Sequence, residues 1–345
     1  MAEAHPARRG PTLATIAELT GYHVSTVSRV LNGSSVEGLR AASPTAAERI
    51  RDVARELGYR PHAAATALRR QRSSLLGVVM SRMADTVLAT IYEGIEHAAR
   101  EHGFQSMVAN SWDEASSREA CIEMLVDHGV EAVIIGDAPF DGSGLELLEA
   151  RGIPSILVNR PAEGRTSVTC DDREGGRLAA EHLLELGHRD VGVLAGREHA
   201  GNARARVAGF TEAFAAAGHP VPDARVLPST FDLAGGRTAM ERLLDAGPPP
   251  TAVFAVSDST AIGAMGAMRD HGLEPGADLS VVGFNDLPVA AELTIPLTTV
   301  RSPLHAMGEQ SVHQLVRLIA GSPVASVRLS PELLARATTA PPRAG

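Results

Sequence analysis

The sequence predicts a small all-α head followed by an α/β body of two doubly wound lobes. Three observations predict it. Two short helices joined by a tight turn are written into residues 12–32, and a third amphipathic helix follows over 43–58. From Leu75 onward, short apolar runs alternate with amphipathic stretches, which is the pattern of βαβ units and a parallel sheet. That series restarts after Asp171-Asp172, so the body reads as two successive halves with a cleft between them.

The head carries the sharpest pattern. Ala17 is small enough for two helices to cross closely, Gly21 supplies a residue free to take positive φ, and Val27 plugs the gap between the pair. Ile16, Val27, Val30 and Leu31 form an inward stripe at helical spacing. Ser25, Arg29 and Asn32 fall opposite at i, i+4 and i+7, a small polar face with one guanidinium that suits base edges better than a core. The third helix opens at Ser43-Pro44, a cap followed by a first-turn proline, and stops at Gly58. The Ala-rich stretch Tyr59–Arg72 is marginal as a helix in isolation and ends in a basic cluster.

In the body, strands are expected at Leu75–Met80, Phe104–Ala109, Glu131–Gly136, Ser155–Val158, Val191–Ala195, Thr251–Val256 and Leu279–Gly283. Helices are expected at Thr86–His102, Ser116–His128, Arg173–Gly187, Ala203–Gly218, Ala234–Ala246, Asp258–His271 and Pro303–Ala320.

Composition bounds the function. The 345 residues suit two or three domains, and a 44% hydrophobic fraction can fill large cores. Aromatics are only 3%, so helices must pack through Ala, Leu and Val. All 32 cationic side chains are arginine. The net charge of −9 alone speaks against a nucleic-acid binder, but residues 1–73 hold eleven Arg against six Asp and Glu, a net +5, leaving −14 on the rest. A basic end on an acidic body fits a chain that meets phosphate at one end only.

Cys121 and Cys170 lie far apart without metal-ligand neighbours and read as small apolar residues in a reducing compartment. No apolar run reaches membrane-spanning length, and Met1–Gly10 lacks the apolar core of a secretion signal, so a cytoplasmic location is expected. Gly175-Gly176 and Gly235-Gly236 have neither P-loop nor dinucleotide spacing, and the thirteen histidines are scattered. No catalytic residue, metal or cofactor is therefore expected.

Thr12, Ala17, Gly21, Thr26, Val27, Ser28, Arg29, Val30, Leu31 and Asn32 match the pattern T-I-x-D-V-A-x-x-A-G-V-S-x-x-T-V-S-R-V-L-N, and the head thereby resembles the lactose-repressor (LacI) family. Two body motifs agree with it: Gly196 followed by Arg206 and Gly209-Phe210, and the strand-to-helix turn Val253 through Asp258 to Gly263. The resemblance spans roughly residues 12–340. It implies a helix-turn-helix domain at 10–60, a hinge helix or linker at 61–73, and a periplasmic-binding-protein-like body at 74–340. Lobe 1 would take about 74–170 plus 303–325, and lobe 2 about 171–302 plus 326–340.

The resemblance further implies a transcriptional regulator, a repressor, that binds near-palindromic operator DNA as a homodimer under control of a small sugar-like effector. Val24, Ser25, Thr26, Ser28, Arg29 and Asn32 would meet the major groove. Leu68 would wedge into the minor groove, kinking the duplex, with Arg69 and Arg70 on phosphates. For the effector it implies Arg206 and Asp258 on facing walls, Phe231 stacked on a ring, and Asn159, Asp171 and Val87 nearby. Four departures stand out: a loop from Asn32 to Ser43 about five residues longer than usual, His23 in place of a capping serine, Thr66 where the hinge often has arginine, and aliphatic Thr86-Val87-Leu88 in place of an aromatic cleft wall. A sugar-binding module without DNA function, or an enzyme using the cleft, would be the rival readings; the basic head opposes the first and the missing catalytic groups the second.

Overall fold

The computed structural model describes residues 11–32, 41–59 and 73–343, with Asn32 described by its backbone. The chain divides into two compact units, Met1–Ser73 and Ser74–Gly345.

The first unit contains α1 (Leu13–Thr20), α2 (Val24–Asn32) and α3 (Pro44–Glu56). Thr12 caps α1 by accepting from the Thr15 N–H, and Thr15 Oγ1 accepts from the Thr12 N–H in return. Gly21 ends the helix at φ +74° and donates its N–H to the Ala17 carbonyl. Ser43 caps α3, with Pro44 in the first turn. Ile16, Ala17, Val27 and Val30 pack on Ala47, Ile50 and Ala54 to make a core around fully buried Ile16, Val27 and Ile50. Residues 33–40, Thr66 and the expected hinge contacts Leu68, Arg69 and Arg70 lie outside the described residues.

The second unit is built on two six-stranded sheets. In the first lobe β1 (Leu75–Met80), β2 (Gln105–Asn110), β3 (Ala132–Ile135), β4 (Ser155–Val158) and β5 (Ser167–Cys170) alternate with α4 (Thr86–Glu101), α5 (Ala115–Asp127) and α6 (Glu146–Ala150). In the second, α7 (Asp172–Glu185), α8 (Gly201–Ala216), α9 (Leu233–Asp245), α10 (Asp258–Asp270) and α11 (Pro288–Glu292) alternate with β6 (Val191–Ala195), β7 (Val226–Pro228), β8 (Ala252–Ala255), β9 (Ser280–Asn285) and β10 (Thr298–Arg301). Then α12 (Leu304–Ile319) returns to pack on α4 and β3–β5, β11 (Val327–Leu329) joins the first sheet, and β12 (Glu332–Leu334) joins the second.

The sheet orders are β11-β5-β4-β3-β1-β2 and β12-β10-β9-β8-β6-β7. Every pairing is parallel except β10 with β12. The central strands β3 and β8 are buried along their whole length, as strands covered by helices on both faces must be.

Two corrections to the expected organisation follow. The chain crosses between lobes at Asp171, at Ser302-Pro303 and at Ser330-Pro331, so lobe 1 extends to Leu329 instead of 325. Strands β5, β7, β10, β11 and β12 were not anticipated, because they are three or four residues long and, as in the Thr-Thr-Val-Arg of β10, mix polar with apolar side chains without a clear period.

Glycine sets how closely the helices approach. A Cβ on Gly94 of α4 would stand 2.1 Å from the His305 carbonyl oxygen of α12, and one on Gly308 of α12 would stand 2.1 Å from that of Ile91. The same reciprocity joins α7 to α8, where Gly176 faces the Arg206 carbonyl and Gly209 the Arg173 carbonyl. It joins α9 to α10 through Gly236 against Thr260 and Gly263 against Leu233. The glycine pairs without phosphate-loop spacing are thus partly explained: Gly176 and Gly236 are helix-crossing points.

Intrinsic helix propensity favours Gly209→Ala by about 1 kcal/mol. The overlap 1.9 Å from the Arg173 carbonyl reverses that sign. Gly209→Ala is expected to destabilise the body by about 1–3 kcal/mol, the usual cost of overpacking, read by urea unfolding.

Candidate functional site

In the head, α2 turns Val24, Ser25 and Arg29 outward while Val27 and Val30 face the core. Thr26 and Ser28 are half-buried flanks of the same face. Val24 is 42% exposed, an apolar group left in solvent at the first turn, where a thymine methyl could meet it. His23 takes over the capping role usual for serine: its Nδ1 lies 3.2 Å from the Ser25 N–H, and its carbonyl accepts from Thr26 and Val27. The Ser25 hydroxyl also sits 2.8 Å from that Nδ1, so part of its hydrogen-bonding capacity goes to the cap.

In the body, side chains from both lobes line an inner chamber, among them Asp85, Val87, Asn159, Asn202, Arg206, Phe231, Ser257 and Asn285. Ser81, Asp85, Arg160, Phe231 and Ser259 also line an adjoining outer chamber of about 390 Å³ that reaches Trp112, Asp113 and Arg197. The two chambers share those five residues as a common wall.

Arg206 is the best-fixed group in it. Its Nε donates to Asp172 Oδ1 at 2.8 Å, its Nη1 donates to the Val256 carbonyl at 2.8 Å, and its guanidinium lies 3.8 Å over the Phe284 ring. Among the described residues Nη2 makes no protein hydrogen bond, so this cation reaches the chamber through one prepositioned donor. Burial pushes Asp172 up to about 6 against the pull of Arg206. Burial also lifts Asp85 above the ordinary carboxylate range, with the Val87 N–H and Arg160 partly countering it.

Asn159 and Asn285 stand at the carboxyl ends of β4 and β9 with φ of +69° and +109°. Such backbone is costly for a side-chain-bearing residue, and asparagine tolerates it best. Asn202 Nδ2 donates to Asn159 Oδ1 at 3.2 Å across the lobes. At the cleft mouth Asp113 of lobe 1 accepts a bidentate pair from Arg160 at 2.6 and 3.2 Å, and His199 Nε2 of lobe 2 stands 3.2 Å from it. Burial would raise Asp113, but Arg160 and His199 outweigh it and hold the carboxyl below its ordinary value.

Four expected contacts, Arg206, Phe231, Asn159 and Val87, therefore line the inner chamber. Two lie elsewhere. Asp258 faces away: Oδ1 accepts from the Thr299 hydroxyl at 2.5 Å and Oδ2 from the Leu287 N–H at 2.6 Å. Asp171 caps α7 by accepting from the Glu174 N–H and lines neither chamber, while its neighbour Asp172 holds Arg206. Sequence reasoning missed Asn202, Asn285 and the paired Asp113 and Arg160. Asn285 was open to discovery, since ligands of such sheets gather at strand carboxyl ends; the others needed the lobes in place.

Comparison with known proteins agrees with this anatomy. Residues 12–62 match the model of bacterial regulatory proteins of the lacI family, and residues 180–339 that of a periplasmic binding protein-like domain. The chain is 31% identical over 337 residues to the transcriptional regulator GalR of Escherichia coli (strain K12), covering 96% of each chain. It is 33% identical over 331 residues to CelR of Thermobifida fusca, covering 93% of this chain and 96% of that one. The lac repressor dimer bound to operator and the anti-inducer ONPF superposes with a TM-score of 0.88 at 28% identity, covering 96% of this chain and all of that one. A CelR–cellobiose complex superposes at 0.73 with 31% identity, covering 95% and 99%.

Burial pushes Asp258 up to about 7, against the pull of the Thr299 and Leu287 hydrogen bonds. The folded chain then holds a proton that the unfolded chain, with its aspartate near 3.8, gives up. Between those values stability falls as pH rises, and the loss continues until pH passes about 7. Asp172 acts in the same sense up to about 6, whereas His182 and His188, lowered by burial, act in the opposite sense as pH falls below the ordinary 6.5. The difference between wild type and Asp258→Asn isolates the first effect. Raising the pH from 5 to 8 is expected to shift the Tm difference toward the variant; a constant difference would show that Asp258 does not titrate there.

Proposed function

Because the chain belongs to the lacI family of bacterial regulatory proteins, a family of DNA-binding transcriptional regulators, we propose that it is a repressor controlled by a sugar-like effector held between its lobes. The observation that carries this reading is the cleft itself. Arg206 and Asn285 of lobe 2 and Asn159 of lobe 1 present polar groups to one chamber, so a bound polyol would bridge both lobes and bias their spacing. A coupling of about 1–3 kcal/mol between effector and DNA is typical of such devices.

Two copies would place α2 in successive major grooves of a near-palindromic operator, with Val24, Ser25, Thr26, Ser28, Arg29 and Asn32 toward the bases. Leu68 would enter the minor groove and Arg69 and Arg70 would neutralise phosphates. Such a chain works in the cytoplasm and catalyses no reaction.

The outer chamber argues for an effector of more than one ring. Its inner ring would meet Arg206, Asn159, Asn202, Asn285, Val87 and the Phe231 face, and its outer ring the Trp112 face, which is 57% exposed. A cellobiose complex of a relative is consistent with a two-ring ligand in this fold. The aliphatic Val87 and Leu88 wall leaves Phe231 as the stacking surface of the inner chamber.

Fluorescence anisotropy with DNA from the chain's own upstream region tests the first half. Arg29→Ala is expected to cost about 1–3 kcal/mol on the specific site and to relax sequence choice, while non-specific DNA is bound nearly as before. Equal binding of specific and scrambled duplexes by the wild type would reject the reading.

A thermal-shift screen of mono- and disaccharides tests the second half. Arg206→Ala is expected to abolish the shift given by any hit, and Trp112→Ala to weaken a disaccharide more than its monosaccharide. A hit that stabilises Arg206→Ala as well as wild type would move the site out of this cleft.

A further inference from the structure

We propose that α4 and α12 carry a surface site for a zinc-class divalent ion, formed by His97, His305 and Glu309. The sequence holds half of it: His305 and Glu309 are i and i+4 on α12, a spacing that puts both on one helix face, while His97 lies far away in the sequence on α4. The helix crossing brings them together: one ligand atom from each of the three lies within 4.8 Å of the others.

Glu309 Oε1 sits between the imidazoles, 3.0 Å from His97 Nδ1 and 3.6 Å from His305 Nδ1. A four-coordinate ion with bonds of 2.0–2.1 Å holds its ligand atoms about 3.3 Å apart. The two edges from Glu309 straddle that value and the imidazole–imidazole edge lies within 4.8 Å, so closing the site draws the two rings together about the carboxylate. Two imidazoles and one carboxylate suit zinc and its borderline neighbours better than calcium or magnesium, which prefer oxygen donors throughout. The side chains are 55%, 47% and 31% exposed, so an ion can enter from solvent and keep a water in its fourth position.

The scaffold beneath is rigid. Gly94, one turn before His97, packs against the His305 carbonyl, and Gly308, beside Glu309, packs against the Ile91 carbonyl. The ligand-bearing backbones therefore meet at a fixed separation before any ion arrives, which limits the reorganisation that binding would require. Glu101 adds an outer partner. Without an ion His97 Nδ1 donates to Glu309 Oε1, so ligation would release that proton or shift it to Nε2, which faces Glu101 Oε1 at 3.8 Å. An ion here would staple α4, whose first turn lines the ligand cleft, to the helix that returns from lobe 2.

Full-length protein stripped with chelator and titrated with Co²⁺, then with competing Zn²⁺, tests the proposal. The wild type is expected to show the intense visible bands of low-coordinate Co²⁺ at one equivalent, lost on adding Zn²⁺, and a Zn²⁺-dependent rise in Tm. His97→Ala, His305→Ala and Glu309→Gln are each expected to weaken the site by about tenfold or more and to remove the Tm rise. His128→Ala, at an exposed histidine that caps the C-terminus of α5, is expected to leave both signals intact. Because all three ligands are on the surface, equal metal-free Tm values confirm that the variants fold. Loss of the signals only in His128→Ala, wild-type behaviour in all three ligand variants, or a wild type with no saturable low-coordinate spectrum would overturn the site.

Discussion

Backbone-to-backbone contact between helices is the constraint on which the body depends. With few aromatic side chains to fill space, the chain packs three pairs of helices through glycines that face each other's carbonyls. Each such crossing fixes where the rest of both helices must lie. The crossing of α7 with α8 puts Arg173 beside Gly209 and Arg206 beside Gly176, so the turn that carries Arg206 lies against the turn that begins with Asp172. The crossing of α4 with α12 sets His97 against His305 and Glu309 in the same way. One packing device thus places the floor of the ligand cleft and the cluster on the outer face of lobe 1.

The Arg206–Asp172 pair is better understood as a positioning element than as a source of stability. Both partners are nearly dehydrated, at 2% and 4% exposure, and removing two charges from water costs about as much as their attraction returns. What the pair secures is orientation. With Nε on the carboxylate, Nη1 on the Val256 carbonyl and the plane lying on Phe284, the guanidinium has one remaining edge and one direction in which to point it. A ligand without an acceptor at that point leaves a buried donor unmatched, which penalises misfits more than it rewards fits. Asp258 is held just as firmly but serves the protein, joining α10 to β10 through Thr299 and to the segment after β9 through Leu287.

The fold was legible because its signals are local. The helix cap at Ser43, the left-handed Gly21 and the alternation of apolar runs are each written within a few residues, and each recurs in the structure. The site was legible only in part. Arg206 and Phe231 sit in motifs with recognisable spacing, but the motif around Asp258 is equally clear and points to a residue that faces away from the cleft. Sequence spacing identifies a turn at a strand end; it does not say which side chain of that turn faces the chamber. Here the following strand supplies it, through Asn285, while Ser257 and Ser259 flank the buried aspartate. Pairings such as Asp113 with Arg160, or His97 with His305 and Glu309, join segments remote in sequence and carry no local trace.

The three crossings between lobes have a mechanical meaning. Two of them, Ser302-Pro303 and Ser330-Pro331, contain proline, whose ring fixes one backbone dihedral and biases the residue before it toward extended geometry. Three short straps side by side, two of them stiffened, resist twisting and sliding far more than bending. Straps of this kind favour an opening and closing about their line over other relative motions of the lobes. Under the proposed function, occupancy of the cleft would act along that opening and closing.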